Sequence, residues 1–214
     1  MKSVAIICDG QFPKKEYPLY LISQADYIIC CDGAVNTFHK HNPDRIPDIV
    51  IGDMDSIKPL PDFPSERIVK VAEQDDNDQT KAFKYAITHF KDIDSIHILG
   101  ATGKREDHTV GNLSLLMEYA RTFDLNKMGI EVDIVSDWST IFAITDSTSI
   151  EVGQGRNISI FSPDNSLNIK SKGLIWPTDD VVFDNWWKAT LNKASEDTVT
   201  LTFSHPSIAL IILD

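Results

Sequence analysis

The sequence contains few cysteines and no long apolar run, and each shortage argues against a class of protein. Its 214 residues include three cysteines, with no C-x-x-C pair and no Cys/His cluster at zinc-ligand spacing. Thiols without such a framework suit a reducing compartment. The N-terminal apolar stretch VAIIC is too short for a signal peptide or a membrane span. We therefore expect a cytoplasmic protein with no membrane partner.

Basic residues are also scarce. Lys and Arg number 20 against 32 Asp and Glu, which gives a formal net charge of -12. Because nucleic acids and anionic membranes attract basic surfaces, this balance argues against both as partners. A phosphate-bearing substrate would be repelled as well, unless a metal ion or local basic groups neutralise its charge.

Strand and helix signals alternate through the first half of the chain. Strands buried on both faces of a parallel sheet are predicted from four apolar runs: SVAIICDG, YIICCDG, DIVIGD and SIHILGATG. Apolar residues at helical spacing predict helices over QTKAFKYAITHF and DHTVGNLSLLMEYA. IEVDIVS closes the series as a last strand. This alternation predicts a doubly wound α/β domain with a mainly parallel sheet over residues 1–135.

After residue 135 the pattern changes to short alternating runs separated by turn residues. Strands are predicted over TIFAIT, TSIEV, RNISIFS, SLNIKS, DVVFD, DTVTLTF and SIALIIL. We therefore expect a small all-β antiparallel sandwich or barrel domain over residues 136–214. Trp138, Trp186 and Trp187 are predicted to be core or interface aromatics.

Two carboxylates one residue apart, Asp53 and Asp55, follow the run DIVI directly. Side chains two residues apart in an extended segment can point the same way, so this pair could hold a hard cation such as Mg²⁺. A polar turn after a strand, with Asp55 and Ser56 capping the next segment, is the alternative explanation.

The acidic segment EQDDNDQTK, residues 73–81, opens a predicted helix. Asp78 suits the N-cap position, but capping does not account for the two aspartates before it. An EF-hand register fails because Lys81 stands where glycine is needed. A helix N-terminus beside carboxylates and a lysine instead suits a metal-bound phosphate.

GATGKREDH, residues 100–108, lies between a predicted strand and a predicted helix. It is not a Walker A loop, because Arg105 replaces the required Ser or Thr. Its glycines let backbone amides approach a phosphate, and Lys104 and Arg105 add positive charge. A flexible loop with solvated basic residues is the alternative. Jointly, the three motifs lie at the carboxyl ends of predicted parallel strands and indicate a metal–nucleotide site.

In this order the motifs resemble those of the thiamine pyrophosphokinase family. The matching stretches are DGAVN (32–36), GDMDSI (52–57), QDDNDQTKA (74–82), GATGKREDH (100–108) and KGLIWPTDDVVF (172–183), with a partial match in ATLNKA (189–194). The resemblance extends from about residue 4 to the C-terminus. This chain departs from the family pattern at Ala34, Val35, Lys104 and Leu191, the last of which stands where the family has serine.

The resemblance implies that the pyrophosphoryl group of ATP is transferred to the hydroxyl of thiamine, giving thiamine diphosphate and AMP. It also implies Mg²⁺ and a homodimer whose thiamine site lies between the nucleotide domain of one subunit and the β domain of the other. The implied catalytic residues are Asp53, Asp55, Asp78 and Arg105, of which the three aspartates are metal ligands. The implied ATP-binding residues are Asp32, Gly33, Asn36, Ser56, Thr80, Lys81, Gly103 and Asp107. The implied thiamine contacts are Gln74, Trp176 and Asn192.

Other functions stay open at this point. A haloacid-dehalogenase-like phosphatase also uses D-x-D, but it needs Thr or Val where Ile57 stands and carries the motif on its first strand. A pterin-alcohol pyrophosphokinase would keep the fold and change the acceptor. A module that binds ATP and thiamine without turnover would release no AMP. The general base for the thiamine hydroxyl is expected to be an aspartate that the sequence does not single out.

Overall fold

The computed structural model describes residues 2–57 and 63–214. The chain divides into two compact units, the first made of Met1–Leu115 and Leu125–Asp137 and the second of Leu116–Asp124 and Trp138–Asp214. Within the described ranges, none of the helices combines the length and the apolar character that crossing a bilayer requires.

The first unit is built on a parallel sheet. Its strands are β1 (Lys2–Ile7), β2 (Tyr27–Cys31), β3 (Ile49–Gly52), β4 (Ile68–Lys70), β5 (Ile93–Leu99) and β6 (Glu131–Val135). They lie in the order β6-β5-β1-β2-β3-β4, and every neighbouring pair is parallel. All the strands predicted for this half are confirmed, whereas β4 carried no apolar run and was not predicted.

In the described part of the chain, five α-helices lie between these strands in sequence order. They are α1 (Glu16–Gln24), α2 (Ala34–His41), α3 (Asp78–His89), α4 (Glu106–Thr122) and α5 (Leu125–Met128). The two helices predicted from apolar spacing are confirmed as α3 and α4. The predicted cap of α3 was wrong by one residue, because Asn77 occupies the N-cap and its side chain accepts from the amide of Thr80 at 2.9 Å.

The core of the first unit explains why its strands are continuously apolar. Val4, Ala5, Ile6 and Ile7 are all fully buried, so successive side chains on both faces of β1 are covered. Each fully buried aliphatic side chain contributes roughly 1.5–3 kcal/mol of transfer free energy. β1, which lies between β5 and β2, is therefore anchored on both faces, and the carboxyl ends of these strands provide a fixed frame.

The second unit is an antiparallel β structure, as the sequence predicted. Its strands are β7 (Thr140–Ile144), β8 (Thr148–Glu151), β9 (Asn157–Phe161), β10 (Ile169–Lys172), β11 (Ala189–Lys193), β12 (Thr198–Phe203) and β13 (Ala209–Leu213). They form two groups, β11-β9-β13-β7 and β10-β12-β8. Ile158 and Ile211 from one group and Val199 and Leu201 from the other share one core. The expected sandwich is thus confirmed.

This unit differs from the prediction at β11, where no strand was predicted, and at DVVFD. DVVFD is not a strand: it is a loop in which the amide of Val181 donates to the carbonyl of Thr178 at 2.9 Å. Phe183 from the same run is buried in the core, so its apolar character reflects one anchored side chain. Of the two positions predicted for Trp138, Trp186 and Trp187, core or interface, the core is excluded because these side chains are 72%, 51% and 66% exposed, and the interface position stays a prediction.

Candidate active site

A cavity of about 540 Å³ lies where β1, β2, β3 and β5 end, and we call it the carboxylate cavity. Several residues predicted for the site line it: Asp32, Gly33, Asp53, Asp55, Ser56, Gln74, Asp78, Lys81 and Arg105. They come from four separate sequence motifs, at residues 32–36, 52–57, 74–82 and 100–108. The motifs therefore converge at the carboxyl edge of the sheet, where ligands bind in open α/β folds.

Three carboxylates in this cavity lie close enough to share one cation. Asp32, Asp53 and Asp55 each place one carboxylate oxygen within 4.8 Å of the other two. Oδ1 of Asp32 is buried and has no hydrogen-bond partner among the described residues. Mg²⁺ binds oxygen ligands at about 2.0–2.1 Å, so two such ligands on one ion lie about 4 Å apart or less. The three oxygens therefore fit Mg²⁺ if they approach one another by less than about 1 Å.

The pKa values of two of these carboxyl groups are shifted in opposite directions. Burial raises the pKa of Asp32, against hydrogen bonds from Ser56 and Gly33 that lower it, and the nearby Asp78 and Asp55 charges raise it further. The amide of Asp55 donates to Oδ1 of Asp53 at 3.2 Å and lowers the pKa of Asp53. A cation would relieve the unfavourable charge on Asp32.

The approach of Asp32 to the Asp53 segment depends on Gly52. A Cβ atom at position 52 would lie 2.8 Å from the Cβ of Asp32, which is closer than real side chains pack. The strand register sets this contact, since Cys31 pairs with Ile51 and the amide of Asp32 donates to the Ile51 carbonyl at 2.8 Å. Asp32 also has a left-handed φ of 41°, a strained backbone of the kind found at functional sites.

The cluster is not the trio that we predicted as metal ligands, because Asp32 joins it and Asp78 lies outside it. Asp78 lines the same cavity and forms an ion pair of 3.2 Å with Lys81. The Lys81 side chain is only 4% exposed, so its charge is directed at the cavity rather than at bulk solvent. The opening of α3 therefore supplies one cation and one further carboxylate.

The loop after β5 is fastened to the loop after β1. The amide of Gly10 donates to the carbonyl of Gly100 at 2.6 Å, and the amide of Gln11 donates to that of Thr102 at 2.7 Å. A Cβ at position 10 would collide with both carbonyl oxygens. Glycine is therefore required there, and the loop that carries Arg105 is held against the sheet edge.

The two basic residues of this loop are exposed and paired with carboxylates. Arg105 donates to Asp107 through Nη2 at 2.6 Å and through Nε at 3.2 Å, and Lys104 contacts Asp9 at 3.0 Å. The pair raises the pKa of Arg105 and lowers that of Asp107. Exposed pairs of this kind are screened by solvent and add little stability, so both cations can turn to an anionic ligand at little cost.

Four predicted ATP-binding residues do not line the cavity: Asn36, Thr80, Gly103 and Asp107. Asn36 acts through its neighbours, since its Nδ2 donates to the carbonyls of Gly33 at 2.9 Å and Ser56 at 3.2 Å. Thr80 is buried in the first turn of α3. The predicted contacts of these four residues with ATP stay a prediction.

Sequence reasoning missed several residues of the cavity, among them Cys8, Gln79, Thr109 and Asn112. Asn112 bonds the Ala101 carbonyl at 2.8 Å, and its own carbonyl accepts from Gln79 at 3.2 Å. A signal was available, because the polar residues 108, 109 and 112 recur at helical spacing on α4. That stripe marks the side of α4 that faces the cavity.

The second unit carries a smaller cavity of about 250 Å³, which we call the tryptophan cavity. Trp176 and Asn192, both predicted to contact thiamine, line it together with Leu191. The Trp176 side chain is 58% exposed. Leu191 is 79% exposed and has a left-handed φ of 57°, where β11 departs from regular pairing with β9.

Asn192 holds Trp176 in place. It is 5% exposed, and its Oδ1 accepts from the amides of Trp176 at 3.2 Å and Lys193 at 2.8 Å. Its Nδ2 donates to the Trp176 carbonyl at 2.6 Å. The acceptor of the side chain is thus engaged by the protein, and one Nδ2 proton is not used in these bonds.

Two family models match this chain, one in each half. The model described as thiamin pyrophosphokinase, catalytic domain, matches residues 19–127, and the model of the substrate-binding domain matches residues 140–208. Thiamine pyrophosphokinase 1 of Oryza sativa subsp. japonica is 26% identical over 81% of this chain and 74% of its own length. Thiamin pyrophosphokinase 1 of Caenorhabditis elegans is 31% identical over 46% of this chain and 43% of its own.

Solved structures share the fold. The thiamine pyrophosphokinase of Bacillus subtilis superimposes with a TM-score of 0.75 at 22% identity, covering 100% of this chain and 99% of that one. The thiamin pyrophosphokinase of Candida albicans gives 0.74 at 19% identity, covering 99% and 88%. These matches favour none of the three alternative functions raised from the sequence.

Proposed function

We propose that this chain, which belongs to the thiamin pyrophosphokinase family, transfers the pyrophosphoryl group of ATP to the hydroxyl of thiamine, giving thiamine diphosphate and AMP. The observation that carries this proposal is the carboxylate cavity, where three carboxylates lie within 4.8 Å of one another beside basic groups. The test is incubation with ATP, Mg²⁺ and thiamine, followed by separation of AMP from ADP. AMP formation should require both thiamine and the metal, and ADP as the sole nucleotide product would contradict the proposal.

Pyrophosphoryl transfer depends mainly on positioning and on neutralising charge. Asp32, Asp53 and Asp55 would hold Mg²⁺, which neutralises phosphate charge when it is bound. Asp78 would add a further carboxylate to the same cavity, as the sequence led us to propose. The repulsion among these side chains in the free protein is the driving force for cation binding.

The basic groups of the cavity would contact the phosphates. Arg105 can exchange its exposed contact with Asp107 for a bidentate grip on a phosphate. Lys81 is buried beside Asp78, so its charge is less screened than that of an exposed lysine. Lys104 can likewise leave Asp9 for an anion.

Thiamine would use the tryptophan cavity. The exposed face of Trp176 suits the flat pyrimidine or the cationic thiazolium of thiamine. Asn192 would act chiefly by fixing the Trp176 backbone, with its unused Nδ2 proton left for the pyrimidine. Gln74 contacts Asp53 at 3.4 Å in the carboxylate cavity and would reach thiamine from that side.

We further propose a homodimer in which each thiamine site combines the carboxylate cavity of one subunit with the tryptophan cavity of the other. The exposed Trp186 and Trp187 support a buried interface on the second unit. Mixing Asp53→Asn chains with Trp176→Ala chains tests the sharing, because each hybrid dimer would contain one site with both residues intact. Restored turnover supports the shared site, and a mixture as inactive as its parents contradicts it.

A cytoplasmic location is proposed from the cysteines. All three are free thiols, and no two are joined in the structure. A reducing compartment keeps thiols in this state. Fractionation of the native host followed by immunodetection tests this location.

A further inference from the structure

Two cysteines lie side by side in the carboxylate cavity. Cys8 directly follows β1 and Cys31 ends the neighbouring strand β2, and their Sγ atoms are 3.9 Å apart. Both side chains line the cavity, although their residues are only 8% and 4% exposed. Both thiols therefore lie in the cavity wall, and a molecule as small as hydrogen peroxide can contact only the part of each residue that stays exposed.

The geometry allows these thiols to be joined. Neighbouring strands lie about 4.8 Å apart, and disulfides form when the Cα atoms are about 4.4–6.8 Å apart. The S–S bond measures about 2.05 Å, so the sulfurs, now 3.9 Å apart, would have to approach by about 1.9 Å. Cys8 lies just beyond the end of β1, so rotation of its side chain does not break the strand pairing.

Both thiols also support the first turn of α3. Cys31 Sγ donates to the backbone carbonyl of Asp78 at 3.4 Å, and Cys8 Sγ donates to Oε1 of Gln79 at 3.9 Å. That turn carries the Asp78 carboxylate and the buried Lys81 into the cavity. The state of the two sulfurs is therefore coupled to the placement of charged groups in the site.

We propose that Cys8 and Cys31 form a reversible disulfide when a peroxide enters the carboxylate cavity, and that this bond switches the site off. The two S–H bonds and the peroxide O–O bond break, one S–S bond forms, and hydrogen peroxide leaves as two molecules of water. The thiols are oxidised and the peroxide is reduced. A dithiol reductant reverses the reaction by exchange.

Oxidation would change the site in two ways. Neither sulfur could donate to α3 any longer, and both would move toward each other and away from its first turn. Asp78 and Lys81 would lose that support, so we expect turnover to fall at least tenfold. This effect on turnover rests on the proposed function, but formation of the bond itself does not.

Mass spectrometry tests the bond directly. The full-length protein is treated with hydrogen peroxide, unfolded, alkylated and digested, with an untreated sample alongside. We expect a cross-linked peptide pair that contains Cys8 and Cys31, a loss of two hydrogens, and one alkylated thiol at Cys30. Three alkylated cysteines, a Cys30–Cys31 bond or sulfinic acid in place of the disulfide would each overturn the proposal.

Turnover is then followed on the same samples, with Cys30→Ala as the matched control. Cys30 adjoins Cys31, but its residue is fully buried and does not line the cavity. Peroxide should inactivate wild type and Cys30→Ala alike, and dithiothreitol should restore both. Cys8→Ala and Cys31→Ala, each compared with its own untreated sample, should resist. A disulfide that leaves turnover unchanged would overturn the switch, and peptide mapping decides the bond even if no pyrophosphokinase turnover is found.

Discussion

The carboxylate cavity and the tryptophan cavity hold their ligand-facing groups in different ways. In the first, charged side chains from β2, β3, α3 and the loop after β5 meet, and most are partnered by a neighbour of opposite charge or by a backbone amide. In the second, an exposed tryptophan is fixed through its backbone by one buried asparagine. The charged groups are thus positioned by several converging segments. The aromatic surface is positioned by the hydrogen bonds of one residue, Asn192, which we call the clamp.

The difference follows from the forces involved. Charge–charge energy varies strongly with distance and with solvent access, so a cation site needs several segments in fixed register. Stacking on an aromatic face tolerates small shifts, because the contact is spread over a ring. We therefore expect substitutions in the three-carboxylate cluster to reduce turnover strongly, and substitutions in the tryptophan cavity to weaken the binding of one substrate.

The largest effect is expected for Asp53→Asn and Asp55→Asn. Each removes one negative charge from the three-carboxylate cluster, so turnover at ordinary Mg²⁺ should fall about a hundredfold or more. The melting temperature should hold or rise slightly, because like-charge repulsion is relieved. Steady-state AMP formation and thermal unfolding measure the two effects.

Asp76→Asn is the matched control for these variants. Asp76 lines the same cavity but lies outside the cluster and pairs with Lys84. Its loss should reduce turnover less than about tenfold. If Asp53→Asn retains full activity, or if Asp53→Asn and Asp76→Asn lose activity equally, the metal-binding role of the cluster is wrong.

Trp176→Ala should weaken the binding of thiamine and leave the binding of ATP unchanged. Loss of a cation–π or stacking surface worth about 2 kcal/mol raises the thiamine concentration at half-maximal rate about thirtyfold. Because the side chain is 58% exposed, the melting temperature should change little. Substrate titrations of both ATP and thiamine measure this, with Trp138→Ala as the control. Equal losses for ATP and thiamine would mean that the ring does not bind thiamine.

Asn192→Ala should lower both the stability of the protein and its affinity for thiamine, whereas Trp176→Ala should lower only the affinity. The substitution leaves the partly buried backbone amide and carbonyl of Trp176 without their partner, which costs about 1 kcal/mol. The melting temperature should therefore fall by several degrees and the thiamine requirement should rise together with it. Asn185→Ala, at an exposed loop asparagine, is the control. An unchanged melting temperature for Asn192→Ala would contradict the clamp.

The smallest effect concerns pH and lies in a loop of the second unit. Asp164 accepts from the hydroxyls of Ser166 at 2.6 Å and Ser207 at 2.7 Å and from His205 at 3.0 Å, and these bonds hold its pKa well below the usual range. A lowered folded pKa stabilises the protein above the unfolded value of about 4, and this contribution disappears as the pH falls below it.

Asp164→Asn therefore has a pH-dependent effect on the free energy of unfolding. It should cost about 1 kcal/mol at pH 7, after allowance for solvent screening, and progressively less as the pH falls from 5 toward 2. Denaturant unfolding across this pH range measures the difference between variant and wild type. A gap that stays constant with pH would show that the carboxylate charge contributes nothing.

The strands and helices that define the frame could be predicted because their signals are local. Runs such as VAII in β1 and the spaced apolar residues of α3 need only one segment to be interpreted. DVVFD misled because an alternating run also fits a loop with one buried anchor, Phe183. β11 was missed because its bulge places Leu191 in solvent, which breaks the alternation.

The composition of the cation cluster could not be predicted in full, because it depends on register between strands. Asp53 and Asp55 can be recognised from their spacing in the sequence. Asp32 comes close to them only because β2 pairs with β3 and because Gly52 has no side chain. Asn192 lines the tryptophan cavity, but its hydrogen bonds to Trp176 could not be predicted, since they span sixteen positions of sequence. Such long-range contacts leave no periodic pattern.

The fastening of the loop after β1 to the loop after β5 has a consequence for local dynamics. The amides of Gly10 and Gln11 donate to carbonyls of Gly100 and Thr102, so none of these four groups can open alone. In hydrogen exchange the two amides should be protected to the same degree and lose protection in one step. The obstacle to a larger residue at position 10 is backbone, so no side-chain change elsewhere can compensate for it. We therefore expect these two loops to open and close together. The end of the carboxylate cavity that they line would then be either fully formed or fully open.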